Sequence, residues 1–138
     1  MDILWPESKM IEGNPLNNNS IVCRLNYNNF SILFTGDIEE IAEQKIAKEC
    51  KDELKSTILK VAHHGSKTSS INYFINLVNP KIALIGVGKD NKFGHPNEEV
   101  LNRLESLGTK IYRTDERGEI VLKVNKKNQM KIRFMIKK

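Results

Sequence analysis

Two cysteines in 138 residues, Cys23 in a strand pattern and Cys50 at the end of a helical one, lack the paired spacing of a disulfide framework or a zinc knuckle and read as thiols outside any disulfide. The sequence also lacks any apolar run approaching the roughly 20 residues of a bilayer-spanning helix, and its N-terminus has no basic stretch followed by an apolar one. The expectation is a soluble piece, with any membrane part of a larger protein lying outside it. Nothing is repeated or low in complexity, and no Pro/Gly/Ser linker divides the chain, so one domain, or part of one, is expected over residues 1–138. At 39% hydrophobic residues, a chain of this length buries roughly two-thirds of the surface that its unfolded form exposes.

Acidic residues are missing altogether after Glu119. The formal charge of +5 is therefore a local property: Lys123, Lys126, Lys127, Lys131, Arg133, Lys137 and Lys138 carry it, and the remaining fifteen basic residues are outnumbered by 17 acidic ones. Such a terminus either lies along a polyanion or forms a solvated sheet edge whose lysines block strand-to-strand aggregation.

Glycine, asparagine and proline punctuate what remains. Residues 12–20 contain Gly13, Asn14, Pro15 and the run Asn17, Asn18, Asn19, which predicts a loop. The alternation of Ile21, Cys23 and Leu25 with polar neighbours predicts a strand, Asn28-Asn29 a hairpin turn, and residues 30–35 the return strand. Ile38, Ile41, Ala42 and Ile46 fall at helical spacing over residues 38–51, with acids early and lysines late, as the helix dipole favours. A short β-rich run over 57–62 leads into His63-His64-Gly65-Ser66. Ser69-Ser70 is read as the cap of a brief helix through Val78. Residues 81–86 read as a buried strand, and Val100, Leu101, Leu104 and Leu107 as the stripe of a helix closed by Gly108. Three strands, over 110–114, 119–125 and 130–136, finish the chain. Helices alternating with strands predict an α/β layered fold.

Histidine is scarce, and all three histidines lie in two post-strand loops. Three strand ends carry an ionisable or metal-binding residue beside glycine: Thr35-Gly36-Asp37, His63-His64-Gly65-Ser66 and Gly94-His95-Pro96. Glycine there permits close approach of backbone and ligand, and α/β folds place their sites at strand ends. Singly, each has a plain structural alternative: Asp37 and His95 as helix caps, His63-His64 as a surface pair. Their joint occurrence in this order points to one site.

The segments Phe30-Ser31-Ile32-Leu33-Phe34-Thr35-Gly36-Asp37, Leu59-Lys60-Val61-Ala62-His63-His64-Gly65-Ser66-Lys67-Thr68, and Gly94-His95-Pro96 with Val100-Leu101, Leu104 and Tyr112-Arg113-Thr114-Asp115 resemble the metallo-β-lactamase domain of the ComEC family of DNA-uptake competence proteins. The match runs from about Asn17 to about Val121. The resemblance implies the C-terminal portion of a metallo-β-lactamase-like αββα sandwich, its segments forming one sheet and the helices that cover it. It implies that Asp37, His63 and His64 are catalytic, with Asp37 bridging two divalent metals, zinc or manganese, and His64 binding one of them. His63 is then a ligand or a phosphate partner, His95 lies on the site rim, and Ser66 and Lys67 contact substrate phosphate. A carboxylate can give one oxygen to each of two cations, and neutral imidazole suits zinc and manganese. Phosphodiester hydrolysis of DNA is the implied reaction, in a parent protein of the bacterial cell membrane that holds this domain on the extracytoplasmic side.

The family's main ligand cluster, His-x-His-x-Asp-His, is missing from this chain, and Asn17 to Asn19 stand where many relatives have a further histidine. The metal is therefore expected to bind weakly or not at all here, and the fragment alone is expected to be inactive. Its partners would be the absent N-terminal half of the domain and a membrane-channel region of the same parent. The sheet face that should meet that half would be left exposed or covered in a homodimer. Two other functions fit the sequence: a non-catalytic nucleic-acid-binding or scaffolding module with a degenerate metal site, and a phosphorylcholine-esterase-like metallohydrolase.

Overall fold

The computed structural model describes residues 1–6 and 10–136. Lys137 and Lys138 of the basic terminus lie outside the described residues. Six strands form one sheet in simple sequence order: β1 (Asp2–Trp5), β2 (Val22–Tyr27), β3 (Phe30–Phe34), β4 (Ile58–Lys60), β5 (Ile82–Ile85) and β6 (Lys110–Arg113). The first three are antiparallel neighbours, and β3 to β6 run parallel. Parallel neighbours need long crossovers, and α2 (Glu40–Glu49), α3 (Asn72–Val78) and α4 (Glu98–Ser106) provide them. Two short helices, α1 (Pro15–Asn18) and α5 (Thr114–Arg117), lie in connections.

Register explains the core. Leu33, Leu59, Ala83 and Ile111 stand side by side across four strands. The first three are at most 1% exposed, in one cluster with Ala42 and Ile46 of α2, Phe74 and Ile75 of α3, and Val100 and Leu104 of α4. Each large side chain in that row contributes about 1.5–3 kcal/mol by leaving water. The alternate row, Leu25, Ile32, Ile58 and Ile82, points to the other face.

That other face is covered by a second, smaller sheet, whose placement the sequence left open. β7 (Ile120–Val124) and β8 (Met130–Phe134) form a separate antiparallel pair. α5 and Gly118, at φ 66°, turn the chain out of the β6 plane. The hairpin then lies over the open face: Leu122 and Val124 line a cavity of about 190 Å3 with Leu25, Phe30, Ile32 and Ile58. Tyr112 and Phe134 meet with ring centroids 5.0 Å apart. The physical reason is the alternation: Leu122, Val124, Ile132 and Phe134 need an apolar face, and the open one supplies it. The hairpin's outward face sets Lys123 opposite Lys131.

Other boundaries also move. Residues 2–5 pair with β2 although the run is too short to read as a strand. Pro15 fixes the first turn of α1 inside the stretch expected to be loop. α2 begins at Glu40, two residues after Ile38, and its last turn passes into a 3-10 turn at Lys51–Glu53. Ser69 and Ser70 do not cap α3, which has Ile71 at its N-cap. Glu43 of α2 does that work from a distance: its two carboxylate oxygens accept from Ser70 N at 2.6 Å and Ile71 N at 2.8 Å.

Candidate functional site

The three glycine-bearing loops follow β3, β4 and β5, so the parallel sheet brings them to one end of the molecule. Main-chain bonds stitch the three together. His63 N donates to Gly36 O at 3.1 Å, and Asn97 N donates to Gly65 O at 2.9 Å. Both glycines are required by space as well as by conformation. At Gly36, φ +52°, an added Cβ would lie 2.6 Å from Ser20 Cβ, and at Gly65, φ +82°, 2.6 Å from Pro96 Cβ.

His63 and His64 both adopt left-handed backbone, at φ 46° and 56°. For non-glycine residues this costs about 1–2 kcal/mol each, and such strain clusters where side chains are aimed for function. Here it aims two neighbouring rings differently. His64 Nδ1 lies 2.5 Å from Gly86 O, which makes Nδ1 the donor and turns Nε2 toward Asp37. Nε2 lies 3.7 Å from Asp37 Oδ1, and both side chains are nearly half exposed. His63 instead turns Nδ1 to within 3.3 Å of Glu39 Oε1. That approach has ion-pair distance without hydrogen-bond alignment, so the buried Nδ1 has no hydrogen-bond partner among the described residues.

Glu39 is a site residue the sequence reading missed, having appeared only as an early helix acid. Burial works against its charge, but hydrogen bonds from Asn14, Thr68 and Asn17 and the proximity of His63 hold its carboxyl below the ordinary range. Asn14 Nδ2 and Thr68 Oγ1 donate to it at 2.7 and 2.9 Å. The asparagine run is likewise structural rather than ligand-facing. Asn18 Oδ1 accepts from Glu39 N at 2.9 Å, and Asn19 brackets Ile11 through its N and O at 2.9 and 3.0 Å. Lys60, at the end of β4, is a second unexpected neighbour: burial lowers its ammonium pKa while the charge of Asp37 opposes the shift.

His95 packs beside His63, with ring centroids 5.8 Å apart, and stacks on Phe93 at 5.9 Å. It and His64 line a shallow cavity of about 200 Å3. Burial, reinforced by His63 and His64, pulls its pKa down. Neither Asp37 nor His95 caps a helix: Glu39 occupies the N-cap of α2, and Asn97 caps α4 by accepting from Glu99 N at 3.0 Å. Ser66 is buried, and its hydroxyl is 3.0 Å from that of Thr68, so it faces its own loop. Lys67 is exposed beside it. Among the described residues no group of three or more His, Cys, Asp or Glu is arranged to hold a metal. Asp37 and His64 are two donors, one short of the usual catalytic zinc shell.

No family model matches the chain. Individual proteins do. The chain is 38% identical to "ComE operon protein 3" of Bacillus subtilis over 104 residues, 75% of its length. The chain is a homologue of a segment of ComEC-type competence proteins. A second such relative, "Competence protein ComA" of Neisseria gonorrhoeae, is 36% identical over the same share of the chain. "Recombination protein 2" of Haemophilus influenzae is 34% identical, again over 75%. The homologous segment amounts to only 13–15% of the length of these curated relatives. No helix among the described residues is long and apolar enough to cross a membrane.

Proposed function

We propose that this chain contributes part of a divalent-metal phosphodiesterase centre to a ComEC-like DNA-uptake protein, as the C-terminal portion of a metallo-β-lactamase-like αββα sandwich. One observation carries the reading: Asp37 faces an imidazole whose other nitrogen is already engaged, His64 Nδ1 by Gly86 O, leaving Nε2 3.7 Å from the carboxylate. Metal-binding histidines are oriented in this way by a carbonyl or carboxylate behind them, and the donor types suit zinc or manganese. Glu39 lies near His63 Nδ1, at ion-pair distance but without the hydrogen bond that orients His64. The kinship with competence proteins supports the choice of DNA as substrate, and the layering of helices, sheet and hairpin supports the sandwich.

The residues present do not make a complete metal site, so its remaining ligands come from a His-x-His-x-Asp-His segment elsewhere in the parent polypeptide. The parent sits in the bacterial cell membrane with this domain outside the cytoplasm. His95 forms the rim, and Lys67 is better placed than Ser66 to meet a phosphate, because the Ser66 hydroxyl is turned to Thr68.

The two-donor count also favours a second reading, a nucleic-acid-binding or scaffolding module with a degenerate metal site. Calorimetric titration with Zn2+ and Mn2+ separates the two, run on this chain and on a longer stretch of the parent containing the histidine-rich segment. Tight binding and DNA hydrolysis confined to the longer polypeptide support the split centre. Weak binding and no hydrolysis in both support the binding module.

A further inference from the structure

The opposite end of the sheet, where β4, β5 and β6 begin, carries a different chemistry. Two neighbouring cavities, of about 230 and 660 Å3, share Lys55, Asn79 and Lys81. Arg24 also lines the smaller and Lys110 the larger, and no Asp or Glu lines either. None of these four cations forms an ion pair among the described residues. Arg24 Nε is buried with no hydrogen-bond partner there. A buried, unsatisfied charged donor costs enough that its persistence needs an explanation.

The backbone beneath the cations is fixed. Lys81 N donates to Thr57 O at 2.9 Å, and Lys110 N donates to Lys81 O at 3.0 Å. Lys81 and Lys110 therefore stand at adjacent strand starts, which lie about 4.8 Å apart, and Lys55, just before β4, lines both cavities with Lys81. Polar side chains floor the smaller cavity: Ser31 and Ser56 are 8% and 3% exposed, and Ser31 Oγ accepts from Thr57 N at 3.1 Å. A single small anion would engage one part of such a set, whereas a phosphodiester chain would engage all of it.

We propose that the groove formed by Arg24, Lys55, Lys81 and Lys110 binds the phosphate backbone of a single-stranded polynucleotide, at a site separate from Asp37 and His64. The choice of a polynucleotide rests on the DNA-uptake reading, whereas the groove rests on the cations and the orphaned guanidinium. Binding here needs no metal, so it is measured in the presence of EDTA, and failure of the metal centre would leave the result unchanged.

The test is fluorescence anisotropy of the 138-residue chain with a labelled oligothymidylate of about 16 nucleotides, at salt concentrations from about 50 to about 200 mM. Replacing Lys55, Lys81 and Lys110 together by Gln should weaken binding at least about tenfold and reduce the salt slope by about 2, near 0.7 for each phosphate that is no longer neutralised. The triple variant Lys123→Gln, Lys131→Gln, Arg133→Gln removes equal charge from the outward hairpin face and should change affinity less than about threefold, because these residues line neither cavity. Circular dichroism confirms that both variants fold, and Lys81→Glu alone serves if the first triple variant does not. Equal losses in the two triple variants would reduce the effect to net charge and overturn the groove. So would oligonucleotide affinity no greater than that of thymidine monophosphate, or no binding at all.

Discussion

The two ends of the six-stranded sheet are made on different plans. At the end bearing Asp37 and His64, three loops are fixed by main-chain bonds, two crowded glycines and two left-handed histidines. At the end bearing Lys55, Lys81 and Lys110, the backbone is tied just as firmly, but the cationic side chains form no ion pairs among the described residues. The difference follows the physics of the two tasks proposed for these ends. Ligation or catalysis fails when a group is misplaced by an ångström, so it demands preorganisation. Attraction to a polyanion acts over roughly a Debye length, near 8–10 Å at moderate salt, and tolerates mobile side chains.

The contrast is most exposed to refutation at Gly65. Gly65→Ala should destabilise the fold by about 3 kcal/mol or more, because the new Cβ meets Pro96 in a left-handed backbone. A urea midpoint matching wild type would show the site loops to be pliable. Next comes Glu43→Ala, expected to cost about 2–3 kcal/mol by leaving Ser70 N and Ile71 N without their acceptor.

The same carboxylate makes stability depend on pH. Burial pushes the Glu43 carboxyl up from 4.5 to about 7, against the two amide bonds and the charge of Arg103 that favour ionisation. A raised carboxyl pKa stabilises the folded state at low pH; that contribution is fully present below about 4.5 and lost as pH rises through about 7. Between those limits the stability of wild type relative to Glu43→Gln should fall by on the order of 2 kcal/mol, read from denaturation curves across that range. A pH-independent difference would mean the carboxyl titrates normally.

Smaller effects are expected for the exposed site groups. Asp37→Ala and His64→Ala should each shift stability by about 0.5 kcal/mol or less, while reducing metal affinity of the completed domain by about a hundredfold, measured by calorimetry. Unchanged metal content and turnover in both variants would sink the assignment. Smallest of all, Lys55→Gln and Lys81→Gln should leave the melting temperature of the chain unmoved, and a clear drop would mean these lysines are tied into the fold after all.

The sequence made the local elements legible where a period or a turn residue spoke for them. Asn28, at φ 50°, closes the β2–β3 hairpin, and Gly108, at φ 72°, ends the last turn after α4. Asp37, His64 and His95 were found because glycine stood beside or close to each. Long-range geometry was not legible. Glu39 and Glu43 look like ordinary helix-dipole acids, and only folding sets one beside His63 and the other beneath Ser70. The hairpin's alternation announced two strands, but nothing local told whether they would extend the sheet or lie across it. The scattered Arg24, Lys55, Lys81 and Lys110 carry no motif, and the topology alone gathers them.

Two stitches between the site loops run from amide to carbonyl, His63 to Gly36 and Asn97 to Gly65, while a third, His64 Nδ1 to Gly86 O, is made by a candidate ligand side chain. The shape of the site is thus coupled to its chemistry at His64 but not at Asp37. A descendant could exchange the Asp37 carboxylate while the main-chain cradle that holds it stayed in place, so the strand ends can change their chemistry without first having to be rebuilt.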